Sequence, residues 1–284
     1  MMPLTGLRLV SLAVNLPGPI AAARLTSLGA TATTVLPPSG DPLETLWPEW
    51  FAELHQGQRL LTLDLKDPDG AATLDTLLAQ ADILLTSSRP AALARLGLDR
   101  ANLSVRHPAL CQVAIVGHAD ADKAGHDLTY QAEAGLLTPP QLPATLLADI
   151  AGAERAVTEA LAAIYQRHRT GVGGVREVAL ADVAEDFAEP LRRGATTSNG
   201  VLGGALATYA IYPTADGQIA VAALEPHFAE RLHHALGVDL NTTELAVAFA
   251  AKPTAHWLDV AAQHDLPLAA VRDVGESHQA QSPL

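Results

Sequence analysis

The segment Lys123–Leu137, KAGHDLTYQAEAGLL, sets a histidine and an aspartate side by side after a glycine. Histidine titrates near neutrality without much tuning, so His126 could carry protons. The same tripeptide also reads as a helix start, with Asp127 as N-terminal cap for the apolar residues that follow. A second carboxylate, Asp149 in LADIAG, stands at the head of a strongly helical stretch. Free N–H groups and the helix dipole favour the anion there, which suits a reactive carboxylate and a plain cap equally well. His227, Glu230 and His234 share one face of the helix pattern EPHFAERLHHAL. No third-ligand or general-base pattern accompanies them, so a solvated face is expected and no metal centre. The cationic RHRTG, Arg167–Gly171, suits a helix C-terminus and needs no further role.

Composition narrows what these groups can serve. The chain has 284 residues, 49% of them hydrophobic and 17% charged, enough for a sizeable core in one large domain or two smaller ones. Aromatic residues are only 4%, so the core must be built from Ala, Leu and Val, and platforms for stacking bases are scarce. A net charge of −13 opposes binding to nucleic acid or an anionic membrane surface. An anionic ligand would need a local basic patch. One cysteine, Cys111, excludes a disulfide framework and reads as a small buried hydrophobe. The N-terminus lacks a basic region ahead of its apolar stretch, and no apolar run approaches the ~20 residues that span a bilayer. A soluble, cytoplasmic protein is expected.

The elements that must position the candidate groups follow from local patterns. Leu7–Val14 reads as a strand, Ile20–Leu28 as a helix ending at Gly29, and TATTVLP as a second strand. This is a βαβ unit, which implies a parallel sheet. The pattern recurs with strand Arg59–Lys66, helix Asp69–Gln80, strand Ile83–Thr86 and a short helix Pro90–Leu96. Ala109–Gly117 is a strand apolar on both faces. A helix over Ala151–Arg167 and the strand VREVAL follow. The Gly/Ser/Thr-rich Leu191–Ala205 reads as a linker. Beyond it, Asp216-Gly217 joins two strands as a hairpin, helices are expected at Pro226–Leu236, Thr243–Ala250 and His256–His264, and LPLAAVRDV is strand-like. The turn after the first strand, NLPGPIAAA, lacks G-x-G-x-x-G. The chain also lacks a P-loop and a G-x-S-x-G elbow, which disfavours a nicotinamide enzyme, a nucleoside triphosphatase and a serine hydrolase.

Five segments in order resemble one family. They are LTGLRLVSLA with PGPIAAARLTSLGATATTVLPPSGDP, QRLLTLDLKDPDG, ADILLTSSRPAALARLGLD, and LLADIAGAERAVTEALAAIYQRHRTGVGGVREVALADVA. Together they are similar to the family III coenzyme A transferases, also called the CaiB/BaiF family, which includes formyl-CoA transferase, carnitine CoA-transferase and α-methylacyl-CoA racemase. The resemblance implies an α/β fold: a Rossmann-like parallel-sheet large domain over 1–190 and a smaller α+β domain over 206–264. Residues 191–205 link them, and 265–284 are left open to return to the large domain. It also implies an interlocked homodimer, each chain threading through the other. A coenzyme A thioester is implied as substrate, with no prosthetic group.

The resemblance assigns roles as well. Asp149 matches the family's catalytic aspartate. In transferase members it attacks the thioester and passes through a mixed anhydride to an aspartyl-CoA thioester. In racemase members it forms an acid/base pair with the histidine of G-H-D, here His126. Racemase members also carry A-L-E-P-x-F, here ALEPHF at Ala223–Phe228, which brings Glu225 towards the active site from across a subunit boundary. His126 and Glu225 together favour racemisation of a 2-methylacyl-CoA. CoA transfer between carboxylic acids is the alternative, and a degenerate CoA-binding member without catalysis the third. Arg59, Arg89 and Arg24 are candidates for the CoA phosphates. Leu36 and Gln58 replace the family's usual Glu and Lys, the segment Gly117–Lys123 is short, and the chain is shorter than typical members.

Overall fold

The computed structural model describes residues 1–119 and 123–272. The chain divides into two compact units, Met1–Ala188 and Glu189–Leu284. In the first, β1 (Arg8–Ser11) leads to α1 (Pro17–Ser27) and β2 (Thr31–Leu36). Helices α2 (Pro42–Leu46) and α3 (Pro48–Leu54) precede β3 (Arg59–Thr62), and α4 (Pro68–Leu78) precedes β4 (Ile83–Thr86). Next come α5 (Pro90–Arg95), α6 (Arg100–Arg106) and β5 (Cys111–Val116). The unit is completed by α7 (Asp127–Glu133), α8 (Leu147–Thr170), β6 (Val175–Ala179) and α9 (Leu180–Phe187).

All six strands run parallel, in the order β3-β2-β1-β4-β5-β6. The order reverses between β1 and β4, which makes the crevice at their carboxyl ends the expected ligand site of such a sheet. Alternation along the strands fills two cores. Leu9, Ile83, Leu85, Val113 and Ile115 pack on α1 and α8, while Val10, Val35 and Leu84 pack on Leu74, Leu78, Leu93 and Leu103 of the opposite layer. Helix α8 approaches closely because its buried face is small: Ala148, Gly152, Ala153, Ala156 and Ala160. A Cβ on Gly152 would lie 2.2 Å from Leu180 Cδ2. Gly18 does the same for α1, where a Cβ would meet Ala13 Cβ at 2.1 Å, so P-G-P lets that helix start directly over the end of β1.

Helix α8 begins at Leu147, earlier than the expected Ala151, and the short helices α2, α3, α6 and α9 were not anticipated. In the second unit α10 (Glu189–Arg192) precedes a Gly-rich π-helical turn, Val201–Ala205. Strands β7 (Tyr209–Pro213) and β8 (Gln218–Ala222) form the hairpin expected at Asp216-Gly217. Helices α11 (Pro226–Leu236), α12 (Thr242–Ala250) and α13 (Thr254–His264) pack their Leu232, Leu245, Phe249 and Trp257 with Tyr212, Ile219 and Val221 of the sheet. Strand β9 (Leu268–Ala270) pairs antiparallel with β8, so this part of 265–284 belongs to the small sheet. The remainder, from 273, lies outside the described residues. No helix among the described residues is long and apolar enough to cross a membrane.

Candidate active site

The loops that leave β1, β4 and β5 enclose a cavity of ≈160 Å³ at the carboxyl edge of the sheet. Asn15 comes from the first loop, Arg89 from the second and Gly117 from the end of the third strand; His126, Tyr130 and Asp149 close the other side. His126 and Asp149 therefore face one cavity although 23 positions separate them in sequence.

Each wall is fixed by specific bonds. Ser87 Oγ accepts from the Val14 N–H at 3.0 Å and donates to the Val14 carbonyl at 3.4 Å, tying the β1 loop to the β4 loop. Asn15 has φ +68°, a conformation asparagine tolerates better than most residues. Its N–H donates to Asp41 Oδ1 at 3.0 Å, and that same oxygen caps α2 through the Leu43 N–H at 2.9 Å. At the end of α7, Glu133 accepts from Lys123 Nζ at 2.5 Å and pairs with His118 Nε2 at 2.8 Å, both from the segment before the helix. Residues 120–122 between those partners lie outside the described set.

Asp127 is not the cap of its own helix. His126 holds the N-cap position of α7, its N–H donating to Thr129 Oγ1 at 3.0 Å. Asp127 is 3% exposed and turns inward. Its Oδ1 accepts from the Asp149 N–H at 3.0 Å, and its Oδ2 accepts from Gln131 Nε2 at 2.5 Å. It thus caps α8, which has no side-chain cap from its own N-cap residue, Leu146. This contact explains why α8 starts before Ala151.

The electrostatics of Asp149 follow from its burial first and from Asp127 second. Burial, and then the neighbouring Asp127 carboxylate, raise its pKa from 3.8 to about 7. The helix N-terminus alone favours the anion, whereas an acid/base role needs burial to raise the basicity of the carboxylate, and Asp149 is raised by burial. A helix dipole contributes only about 0.3–1 kcal/mol, and burial together with the like charge outweighs it. Asp149 consequently changes protonation state near neutral pH.

A second cavity, of ≈460 Å³, opens beside the first at the ends of β1, β2 and β3. Leu36, Pro37, Leu65 and Leu93 make it largely apolar, with Ser39, Asp64, Lys66 and Ser88 as its polar groups. Val14 lines both cavities. Of the three arginines expected at CoA phosphates, Arg89 lines the smaller cavity. Arg24 pairs with Glu154 at 2.8 Å on the outer face of α1, and Arg59 opens β3; neither lines either cavity. Lys66, the last residue of the family-like segment QRLLTLDLK, is the cation at the larger one, although it was not among the arginines expected at the phosphates. Glu225 stands exposed at the N-cap of α11 in the second unit, without capping that helix through its side chain.

The chain is similar to proteins named for two chemistries. Human alpha-methylacyl-CoA racemase is 31% identical over 91% of this chain and 75% of its own length. Succinate–glutarate CoA-transferase of Agrobacterium fabrum is 28% identical over 91% of this chain and 72% of its own. The crystal structure of Rv3272 from Mycobacterium tuberculosis matches with a TM-score of 0.84 at 25% identity, covering 98% of this chain and 85% of that one. The profile of CoA-transferase family III aligns with residues 4–282, so the chain belongs to that family, in which one scaffold serves both racemisation and transfer.

Proposed function

We propose that the protein racemises a 2-methylacyl-CoA by removing and returning the proton α to the thioester carbonyl. One observation carries this reading: Asp149, with a pKa of about 7, lines the same cavity as His126. Inversion at carbon needs two groups, each a base from one face and an acid from the other. Both must therefore be able to hold or release a proton near the working pH, and histidine as a residue type does so. A carboxylate that only attacked a thioester would be served by full ionisation, which burial opposes here.

The larger cavity supports seating the nucleotide of CoA there, with Lys66 towards the phosphates and the pantetheine passing Val14 to the thioester. Glu225 is assigned on family resemblance alone, as a third acid/base group reaching the site within an interlocked homodimer. The test is exchange of the α proton of a 2-methylacyl-CoA in D2O, followed by NMR. Wild type should exchange it, and Asp149→Asn and His126→Ala should each slow exchange by about 10²–10⁴-fold. Tight binding without exchange in the wild type would defeat the proposal.

The second reading is CoA transfer with Asp149 as nucleophile, favoured by the similarity to the Agrobacterium enzyme. It predicts an aspartyl thioester that hydroxylamine traps, and a His126→Ala variant that keeps its activity.

A further inference from the structure

Tyr130 stands one turn after Asp127, is 3% exposed and packs in the first core, and it also lines the smaller cavity. It lies between two glycines. A Cβ on Gly117 would sit 2.6 Å from the Tyr130 hydroxyl oxygen, and one on Gly125 would sit 2.5 Å from Cε1 and 2.8 Å from the hydroxyl. Any larger residue at either position would have to displace the ring. The His118 ring packs edge-on from 5.4 Å. This slot delivers the hydroxyl to the wall of the cavity that also holds His126, Asp149 and Arg89.

The hydroxyl has no hydrogen-bond partner among the described residues. At the cavity wall it is free to donate to a ligand oxygen. Burial and the nearby Asp149 carboxylate raise the phenol above its ordinary pKa of 10.0. The group is therefore a poor base at neutral pH and keeps its proton for donation.

We infer that Tyr130 donates a hydrogen bond to the thioester carbonyl oxygen and stabilises the negative charge that gathers there. This rests on the proposed reaction at the same cavity. When Asp149 or His126 takes the α proton, the C–H electron pair forms a carbon–carbon double bond and the carbonyl pair moves onto oxygen. The phenolic proton stays on Tyr130 and strengthens its hydrogen bond to that oxygen. Return of a proton from the opposite group restores the thioester. A preorganised donor of this kind contributes most where charge develops in the transition state.

The test uses Tyr130→Phe and a thioester labelled with ¹³C at the carbonyl. Isotope-edited infrared spectroscopy reads the bond directly, whether or not the enzyme turns over. On binding wild type, or Asp149→Asn, the carbonyl band should move to lower frequency, and in Tyr130→Phe most of that displacement should vanish. The rate of α-proton exchange at saturation should fall about 10²–10³-fold in Tyr130→Phe, with KM changed little. Equal band positions in wild type and Tyr130→Phe would overturn the inference while leaving racemisation intact. A displacement present in wild type and lost in Tyr130→Phe, in a wild type that exchanges no α proton, would overturn racemisation and keep Tyr130 as the carbonyl donor. Should Tyr130→Phe not fold or bind, all four tyrosines can be replaced by 3-fluorotyrosine, whose hydroxyl is more acidic. The band must then move further than in wild type, and an unchanged band overturns the inference.

Discussion

Asp149→Asn should stabilise the protein at pH 8 relative to pH 5. Burial and Asp127 hold the Asp149 carboxyl near 7 in the folded protein, against 3.8 ordinarily. Between those values the folded protein binds more protons than the unfolded chain, so stability falls as pH rises. The contribution is complete below 3.8 and is gone above about 7. About two pH units lie between pH 5 and the folded value, and each is worth about 1.36 kcal/mol, which sets a ceiling of about 2.7 kcal/mol. Partial access of solvent reduces the expectation to about 1–2 kcal/mol. Asparagine keeps the size of the side chain and removes the titration. Urea unfolding of both proteins, followed by circular dichroism at pH 5 and pH 8 in the same ionic strength, measures the difference. The stability of Asp149→Asn relative to wild type should improve by about 1–2 kcal/mol from the lower to the higher pH. An offset equal at the two pH values would show that Asp149 is already ionised at pH 5. Asp149 would then hold no proton near neutral pH to return to the α carbon.

Asp127→Asn keeps an acceptor for the Asp149 N–H but removes the like charge. The acid limb of the α-proton exchange profile should therefore move to lower pH, and an unmoved limb would assign the raised pKa to burial alone. Gly125→Ala places a methyl group against the Tyr130 ring, and overpacking of this kind costs about 1–3 kcal/mol in denaturant unfolding. The same substitution should weaken exchange more than it weakens CoA binding. Lys66→Ala should lower CoA affinity by about tenfold or more, the loss of one charge-assisted bond to phosphate, and should flatten the salt dependence of binding in calorimetry. Unchanged affinity would direct attention away from the larger cavity.

The parallel sheet was legible because each strand carries its own punctuation. Ile83–Thr86 was expected and found at the same residues, and the Asp216-Gly217 hairpin formed as its turn chemistry requires. Short helices without a local start signal were not legible. Helix α9 follows β6 with Ala179 at its N-cap and no side-chain cap. The start of α8 escaped for a related reason: the group that fixes it, Asp127, lies 22 residues upstream and acts through space. His126 and Asp149 could be picked out from residue type and family resemblance, and they do face one cavity. Their electrostatics could not be, because the pKa of Asp149 depends on burial and on a second carboxylate that local sequence reads as an ordinary cap. Tyr130 was invisible for the same reason. Only packing shows that Gly117 and Gly125 are cut to the thickness of its ring.

Val14 has a consequence for ligand length. It is common to both cavities, and its peptide is held at both N–H and carbonyl by Ser87. A CoA thioester seated as proposed would pass Val14, which would then act as a fixed point between handle and reacting end. Its position sets how much chain separates the two. Thioesters shortened on the handle side would reach the smaller cavity without being measured against that point, and would sample many depths in it. On that seating, the length of the ligand would set the placement of its reacting carbon atom.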